Sequence, residues 1–325
     1  MPMKAMLLTR FGPPEAFQLA EIETPQPGPK EVLIRVRAST VTAGDSELRR
    51  LALAPYLALP LRLYLGPIRP RIKVLGQELS GVVEAVGAEV TRFQPGDEII
   101  ALPGFNFGAY AEYCLLPEDS GMTAIIKKPA SWGFDQAATL GFGGLDALDF
   151  INRANLRPGQ TILINGAGGS IGTYAIQFAH HLGAEVTAVD SAEKLEMLRS
   201  IGAAHTIDYR QQDFTQVDQR YDVVFDVIGS ARFNAALRTV KPGGLLLNAN
   251  PKLGFMLRAM FNPRVITGES GSKYSQLPRL IKLAESSEKE LKAVIDKRYP
   301  LDALAEAHRY VDTGAKAGHV VIQMD

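Results

Sequence analysis

The stretch Thr161-Ile-Leu-Ile-Asn165-Gly166-Ala167-Gly168-Gly169-Ser170-Ile171-Gly172-Thr-Tyr-Ala-Ile-Gln-Phe-Ala179 decides the fold. Thr161 to Ile164 is a short β-branched and apolar run entered through a Pro158-Gly159 turn, which predicts a buried strand of a parallel sheet. Glycines follow at 166, 169 and 172. Beyond them Ile171, Ala175, Phe178 and Leu182 recur at helical spacing, and Gly183 stands where a helix would stop. Strand, glycine turn and helix in this order make half of a dinucleotide-binding unit. The turn lets a pyrophosphate approach the backbone, and the helix N-terminus supplies N–H groups and positive partial charge.

The spacing is Gly-x-x-Gly-x-x-Gly, a variant of the usual fingerprint, because residue 171 is Ile. Glycine also marks ordinary turns and close helix packing, so the context carries the reading. Glu185-Val-Thr-Ala-Val-Asp190 is a second strand that ends in an acid about 20 residues past the glycines, where a ribose-binding carboxylate is needed. The backbone of Gly166, Ala167, Gly168, Gly169, Ser170 and Ile171 is therefore the expected cradle for a cofactor, with Asp190 on its ribose. Asp190 would accept from both ribose hydroxyls of NAD, whereas a 2′-phosphate would bring like charges together. Lys194 and Ser191 pull the other way, since Lys194 could meet a phosphate while Asp190 caps the next helix. NAD(H) is expected over NADP(H) on this balance.

Working outward, further strands are expected at His205–Tyr209, Asp222–Asp226, Gly244–Asn248 and Arg264–Thr267, which with the first two complete a six-stranded, doubly wound parallel sheet. Ser191 can cap a helix carrying Leu195, Leu198 and Ile201, ended by Gly202. Residues 1 to about 125 have another texture. Val32–Arg37, Gly81–Val86, Gln94–Leu102 and Gly108–Leu116 are short β runs separated by Pro-Gly and Gly-Asp turns, which predict an antiparallel, barrel-like domain. The last part, with a helix at Leu301–Val311 and a strand at His319–Gln323, has no place in the parallel sheet. The expected division is 1–125 with 291–325, and 126–290.

Composition narrows the function. The 325 residues, 46% of them hydrophobic, suffice for two cores. Lys and Arg number 35, as do Asp and Glu, so no net charge or basic block argues for nucleic acid. The single Cys114 excludes an intramolecular disulfide and a thiolate-rich zinc site, and it suits a reducing compartment. The N-terminus is charged too soon for a signal peptide, and Pro55, Pro60 and Arg62 interrupt the apolar run 51–65 before membrane-spanning length. A cytoplasmic protein with no membrane span is expected. The five histidines show no ligand spacing apart from the adjacent pair 180 and 181, whose side chains point apart.

Gly76-x-Glu78-x-x-Gly81, Pro95-Gly-Asp97, Gly108-Ala-Tyr-Ala-Glu112, the glycine turn, Phe225-Asp-Val-Ile-Gly229, Lys241-Pro-Gly-Gly244 and Arg298-Tyr-Pro-Leu301 stand in one order along the chain. Jointly they resemble the medium-chain dehydrogenase/reductase superfamily over nearly the whole length, and within it the zinc-independent quinone oxidoreductases. The resemblance implies a Rossmann domain plus a GroES-like barrel domain, with nicotinamide lying in the cleft between them. It also implies that Tyr209 lies under the adenine, and that Val227, Gly229, Asn248 and Asn250 line the cofactor. Zinc-dependent relatives carry Cys, His and Cys where this chain has Thr42, Gln77 and Phe142, none of them a good zinc ligand.

Without a metal to stabilise an alkoxide, reduction of a quinone or of a polarised C=C bond is favoured, because the product anion is delocalised and needs only hydrogen bonds and a proton. A zinc-free alcohol or aldehyde oxidoreductase and a non-catalytic NAD(P)H-binding sensor are the alternatives. By its family position Thr42 would face nicotinamide and substrate, or it is simply a strand-end residue. Asp45 matches a recurrent family acid, or it caps the helix that follows. Tyr56 and Tyr64 could each reach a small apolar substrate, or be packing residues with one wet end. The apolar stretches 51–71 and 253–261 read as substrate lids or as a subunit interface. The resemblance implies a homodimer paired through an edge strand near Arg264–Gly268.

Overall fold

The computed structural model describes residues 2–52, 55–268, 273–286 and 290–324. They divide into two compact units, Met1–Gly141 with Ile295–Asp325, and Phe142–Val294.

The first unit begins with the antiparallel hairpin of β1 (Pro2–Leu8) and β2 (Phe17–Glu23). It continues through β3 (Glu31–Val41), helix α1 (Ala43–Arg50), helix α2 (Pro55–Leu65), β4 (Leu79–Val86), β5 (Glu98–Leu102), β6 (Tyr113–Pro117), β7 (Ala124–Lys127) and helix α3 (Phe134–Ala138). The stretch 51–71, left without an element by the sequence pattern, thus contains a helix, and that helix accommodates Pro60.

The second unit alternates strand and helix: α4 (Leu145–Ala154), β8 (Thr161–Asn165), α5 (Ser170–His181), β9 (Glu185–Asp190), α6 (Leu195–Ser200), β10 (His205–Asp208), β11 (Tyr221–Asp226), α7 (Phe233–Arg238), β12 (Val240–Asn248), α8 (Leu253–Ala259), β13 (Val265–Thr267) and α9 (Leu277–Glu285). Its six strands are all parallel, in the order β10-β9-β8-β11-β12-β13. The order reverses between β8 and β11, which is the switch point where open α/β sheets take their ligands. Ile162, Leu163 and Ile164 on β8 are wholly buried, as a strand covered on both faces requires. Leu253–Ala259, the second apolar stretch without an expected element, is also helical, with Phe255 and Ala259 turned into the core.

The chain then returns to the first unit as β14 (Ile295–Pro300), α10 (Leu304–Asp312) and β15 (His319–Gln323). The first unit's sheet runs β14-β15-β3-β4-β5-β7, with β6 also paired to β3. The division expected at 125/126 falls inside this unit and is corrected to 141/142. β7 pairs antiparallel with β5, Ala138 of α3 packs on Ala38 and Val321, and the Ser80 hydroxyl donates to the Phe134 carbonyl (2.5 Å). These contacts hold residues 124–138 to the barrel.

A polar cluster is sealed inside the first unit. Arg49, on α1, is fully buried; its guanidinium donates to the Gly12 carbonyl and to the carboxylate of Asp312 at the end of α10. His308, one turn earlier on α10, lies against the rings of Phe17 (4.8 Å) and Tyr110 (5.8 Å) and has its Nδ1 3.3 Å from the Ser46 hydroxyl. Burial, together with the charges of Arg49 and Arg50, pushes its pKa down to about 3, so the ring is neutral. The same ring titrates near 6.5 when unfolded. Between these values the unfolded chain takes up a proton that the native protein does not, so stability falls as pH falls, by up to about 1.4 kcal/mol per pH unit. His308→Gln is therefore expected to lose less stability than the parent between pH 6.5 and 4.5 in urea unfolding. Equal losses would mean that the native ring takes its proton freely.

Candidate functional site

In the second unit the chain leaves β8 at Asn165 and turns through Gly166, whose φ of +80° lies in the left-handed region that favours glycine. Gly172, in the first turn of α5, has a different requirement. A Cβ there would stand 2.4 Å from the Gly166 carbonyl oxygen and 2.5 Å from that of Ala167. Without one, α5 starts flush against the turn. Its N-cap is Gly169, with no side-chain cap. The first-turn N–H groups of a helix have no intrahelical acceptor, and here no capping side chain competes with an anion for them.

The neighbouring strand ends complete this edge. Asp226, wholly buried at the end of β11, accepts from the Asn165 amide (2.9 Å), from the Gly229 N–H (3.0 Å) and, through its other oxygen, from the Ala231 N–H (3.0 Å). The Val227 N–H donates to the Asn165 carbonyl (3.0 Å), so the loop 227–231 is tied to the end of β8. Asn248, at the end of β12 and also wholly buried, accepts from the Asn250 N–H (3.0 Å). Its side-chain N–H₂ has no partner among the described residues. A buried donor left unmade is costly, and at the carboxyl ends of these strands it suits a polar ligand beside the glycine turn. Asp226 and Asn165 were not singled out by the sequence reading. The available signal was an acid closing an apolar strand just before Val-Ile-Gly.

Asp190 is more occupied than its sequence position suggests. One carboxylate oxygen accepts from the Gly168 N–H (2.7 Å); the other accepts from the Ser191 N–H (2.9 Å) and faces the Lys194 ammonium (3.1 Å). Both side chains of that ion pair are nearly buried. The second cation of this edge, Arg210, lies over the ring of Tyr209 (5.8 Å) and pairs with Glu193 (2.6 Å). Glu193 is held down to about 2 by its backbone hydrogen bond and then by Arg210. Tyr209 itself is 54% exposed, at the end of β10.

In the first unit Thr42 is the N-cap of α1 rather than a plain strand end. Its hydroxyl accepts from the Asp45 N–H (3.1 Å) and donates to the Asp45 carboxylate (2.6 Å), which also accepts from the Thr42 N–H (2.9 Å). This reciprocal pair is a capping box. Thr42 is half-buried, whereas Asp45 is 1% exposed. Of the two readings of Asp45, the cap of the following helix is the one the structure shows. Asp45 is enclosed, and it acts by fixing Thr42 and the start of α1. Tyr64 is half exposed and donates to the Phe105 carbonyl (3.0 Å). The side chain of Tyr56 lies outside the described residues.

Comparison with known proteins adds the following. Residues 28–130 match the alcohol dehydrogenase GroES-like domain, and residues 201–322 match a zinc-binding dehydrogenase domain. A quinone oxidoreductase of Pseudomonas aeruginosa is 30% identical over 98% of this chain and 99% of its own. An NADPH-dependent alkenal/one oxidoreductase of Arabidopsis thaliana, chloroplastic, is 30% identical over 98% of this chain and 79% of its own. The solved quinone oxidoreductase of Coxiella burnetii superposes with a TM-score of 0.85 at 27% identity, over 100% of both chains.

The match to a zinc-binding dehydrogenase domain raises zinc, and the side chains at the positions expected for its ligands do not fit it. Thr42 offers a hydroxyl already committed to Asp45, Gln77 an amide, and Phe142 a hydrocarbon ring that lies against the Lys273 ammonium (5.0 Å). Among the described residues no three His, Cys, Asp or Glu side chains come together as a metal site.

Asp45 carries a pH signature. Burial pushes its pKa up to about 6 from 3.8, against the opposing pull of the Thr42 hydrogen bonds. One carboxylate oxygen is buried without a hydrogen-bond partner among the described residues. The native state thus holds its proton more tightly than the unfolded chain. A destabilising contribution appears as pH rises through 3.8 and is complete above 6, about 3 kcal/mol by linkage. Asp45→Asn keeps an acceptor for Thr42 and removes the charge. It should raise the urea midpoint at pH 8, with a gain that shrinks towards pH 4. A gain independent of pH would assign it to packing instead.

Proposed function

Because this chain belongs to the medium-chain dehydrogenase/reductase superfamily, among its quinone oxidoreductase-like members, we propose that it reduces quinones or the C=C bond of α,β-unsaturated carbonyl compounds with NAD(P)H. The observation that carries the reading is the side-chain-free approach of α5 to the 166–172 turn, with the unpartnered Asn248 amide at the same sheet edge. In that reading the backbone at Gly166–Ile171 holds the diphosphate, and Asp190, Tyr209 and the loop through Val227 and Gly229 hold the rest of the cofactor with Asn248 and Asn250. Bound NAD(P)H supplies the hydride.

The protein's own part is positioning and charge stabilisation. Hydride addition to an enone or quinone leaves an enolate or hydroquinone anion. The Thr42 hydroxyl is the group we place beside it; its one proton goes to Asp45 in this structure, so it donates to the anion only by turning away from that carboxylate, and no metal is needed. A small apolar acceptor and a homodimer paired along β13, the edge strand of the parallel sheet, belong to the same reading.

NADH is the proposed donor. Each cation near the end of β9 is already paired, Lys194 with Asp190 and Arg210 with Glu193. A 2′-phosphate would have to break one of these pairs in the presence of Asp190, whereas a ribose diol needs only acceptors. Titration with NADH and NADPH, followed by a screen of enones and quinones, tests both parts. Tighter NADH binding and acceptor-dependent oxidation are expected. Asp190→Ser should move the NADPH/NADH affinity ratio at least about tenfold towards NADPH, since it frees Lys194. Folded protein that oxidises neither nucleotide with any acceptor would overturn the activity; an unchanged ratio would overturn only the cofactor preference.

A further inference from the structure

α2 and the loop after it present apolar side chains to solvent. Leu59 is 66% exposed, Leu63 58% and Ile68 84%. Leu59 and Leu63 are four residues apart and so lie on one face of the helix. The ridge is nonetheless tied down. Leu65 at the end of α2 is buried in the core, the Arg71 N–H donates to its carbonyl (2.7 Å), and Arg62 donates to the Pro67 carbonyl (3.0 Å). Tyr64 packs edge-on against Phe105 (6.1 Å), fixing the helix to the barrel unit. These leucines and Ile68 are therefore held outward by an anchored element.

The charge around them has one sign. Between Glu47 and Glu78 the sequence contains no acidic residue, in a chain whose acidic and basic residues balance over the whole length. Arg62, Arg69, Arg71 and Lys73 are all exposed, and none lies within ion-pair distance of an acidic side chain among the described residues. Apolar side chains at the surface of a short helix with unneutralised cations beside them are the combination that binds an anionic lipid surface: the apolar groups enter the acyl boundary while the cations remain at the headgroups. No helix among the described residues is long and apolar enough to span a bilayer, so the contact would be peripheral.

We infer that the ridge of Leu59, Leu63 and Ile68, flanked by Arg62, Arg69, Arg71 and Lys73, docks the protein on the surface of anionic membranes. This goes beyond the proposed reductase activity and does not rest on it. Cosedimentation of the full chain with phosphatidylcholine vesicles, and with vesicles that also contain phosphatidylglycerol, tests it. Binding to the anionic vesicles should be at least tenfold tighter and should weaken as salt is raised.

Leu59→Glu with Leu63→Glu, and separately Arg69→Glu with Arg71→Glu, should each reduce that binding tenfold or more while circular dichroism shows an unchanged fold. Leu257→Glu with Phe261→Glu, on the exposed apolar stretch of the other unit, should leave it intact. No binding to either vesicle, or equal losses from the control pair, would overturn the inference. So would a ridge variant that converts a dimer to a monomer in size-exclusion chromatography while vesicle binding persists, because the ridge would then be a contact between copies of this chain.

Discussion

The second unit is built on a contact that only a hydrogen side chain permits. Helix α5 begins against the carbonyls of Gly166 and Ala167, and a methyl group at 172 would overlap both oxygens. Close approach brings the helix N-terminus and its partial positive charge to the end of β8. The enclosed Asp226 then draws the ends of β8 and β11 together through Asn165, so the turn and the loop 227–231 face the same edge of the sheet. A Rossmann sheet in the order found here places this edge at its switch point, where a dinucleotide is bound by backbone rather than by long side chains.

The first unit follows a different principle. Its functional candidate is a half-buried hydroxyl whose direction is set by a buried carboxylate, and the carboxylate is costly to bury in its charged form. Deeper in the same unit, Arg49 and Asp312 pair, while His308 stays neutral between aromatic rings. A buried ion pair rarely contributes much net stability. Here it joins α1 to α10, the helix delivered by the last stretch of the chain, and so ties the terminal segment to the helix that Thr42 caps.

Membership of the quinone oxidoreductase-like group and a site without good zinc ligands point to one kind of chemistry. An acceptor whose reduced form is a delocalised anion asks for orientation and a hydrogen bond rather than for a metal.

The sequence by itself determined the fold class, the six parallel strands and the glycine turn. Those signals are local: strand-length apolar runs, helical spacing after residue 170, and glycines where the backbone must turn or touch. It also showed an acid at 190 and a Thr and Asp three residues apart. Tertiary structure decided what those side chains face. Asp190 is held by Gly168 and Lys194, Asp45 is sealed inside a capping box, and residues 126–141 stay with the barrel through partners distant in sequence. Periodicity reports which face of an element is apolar; burial and pairing across distant segments exist only once the elements have packed.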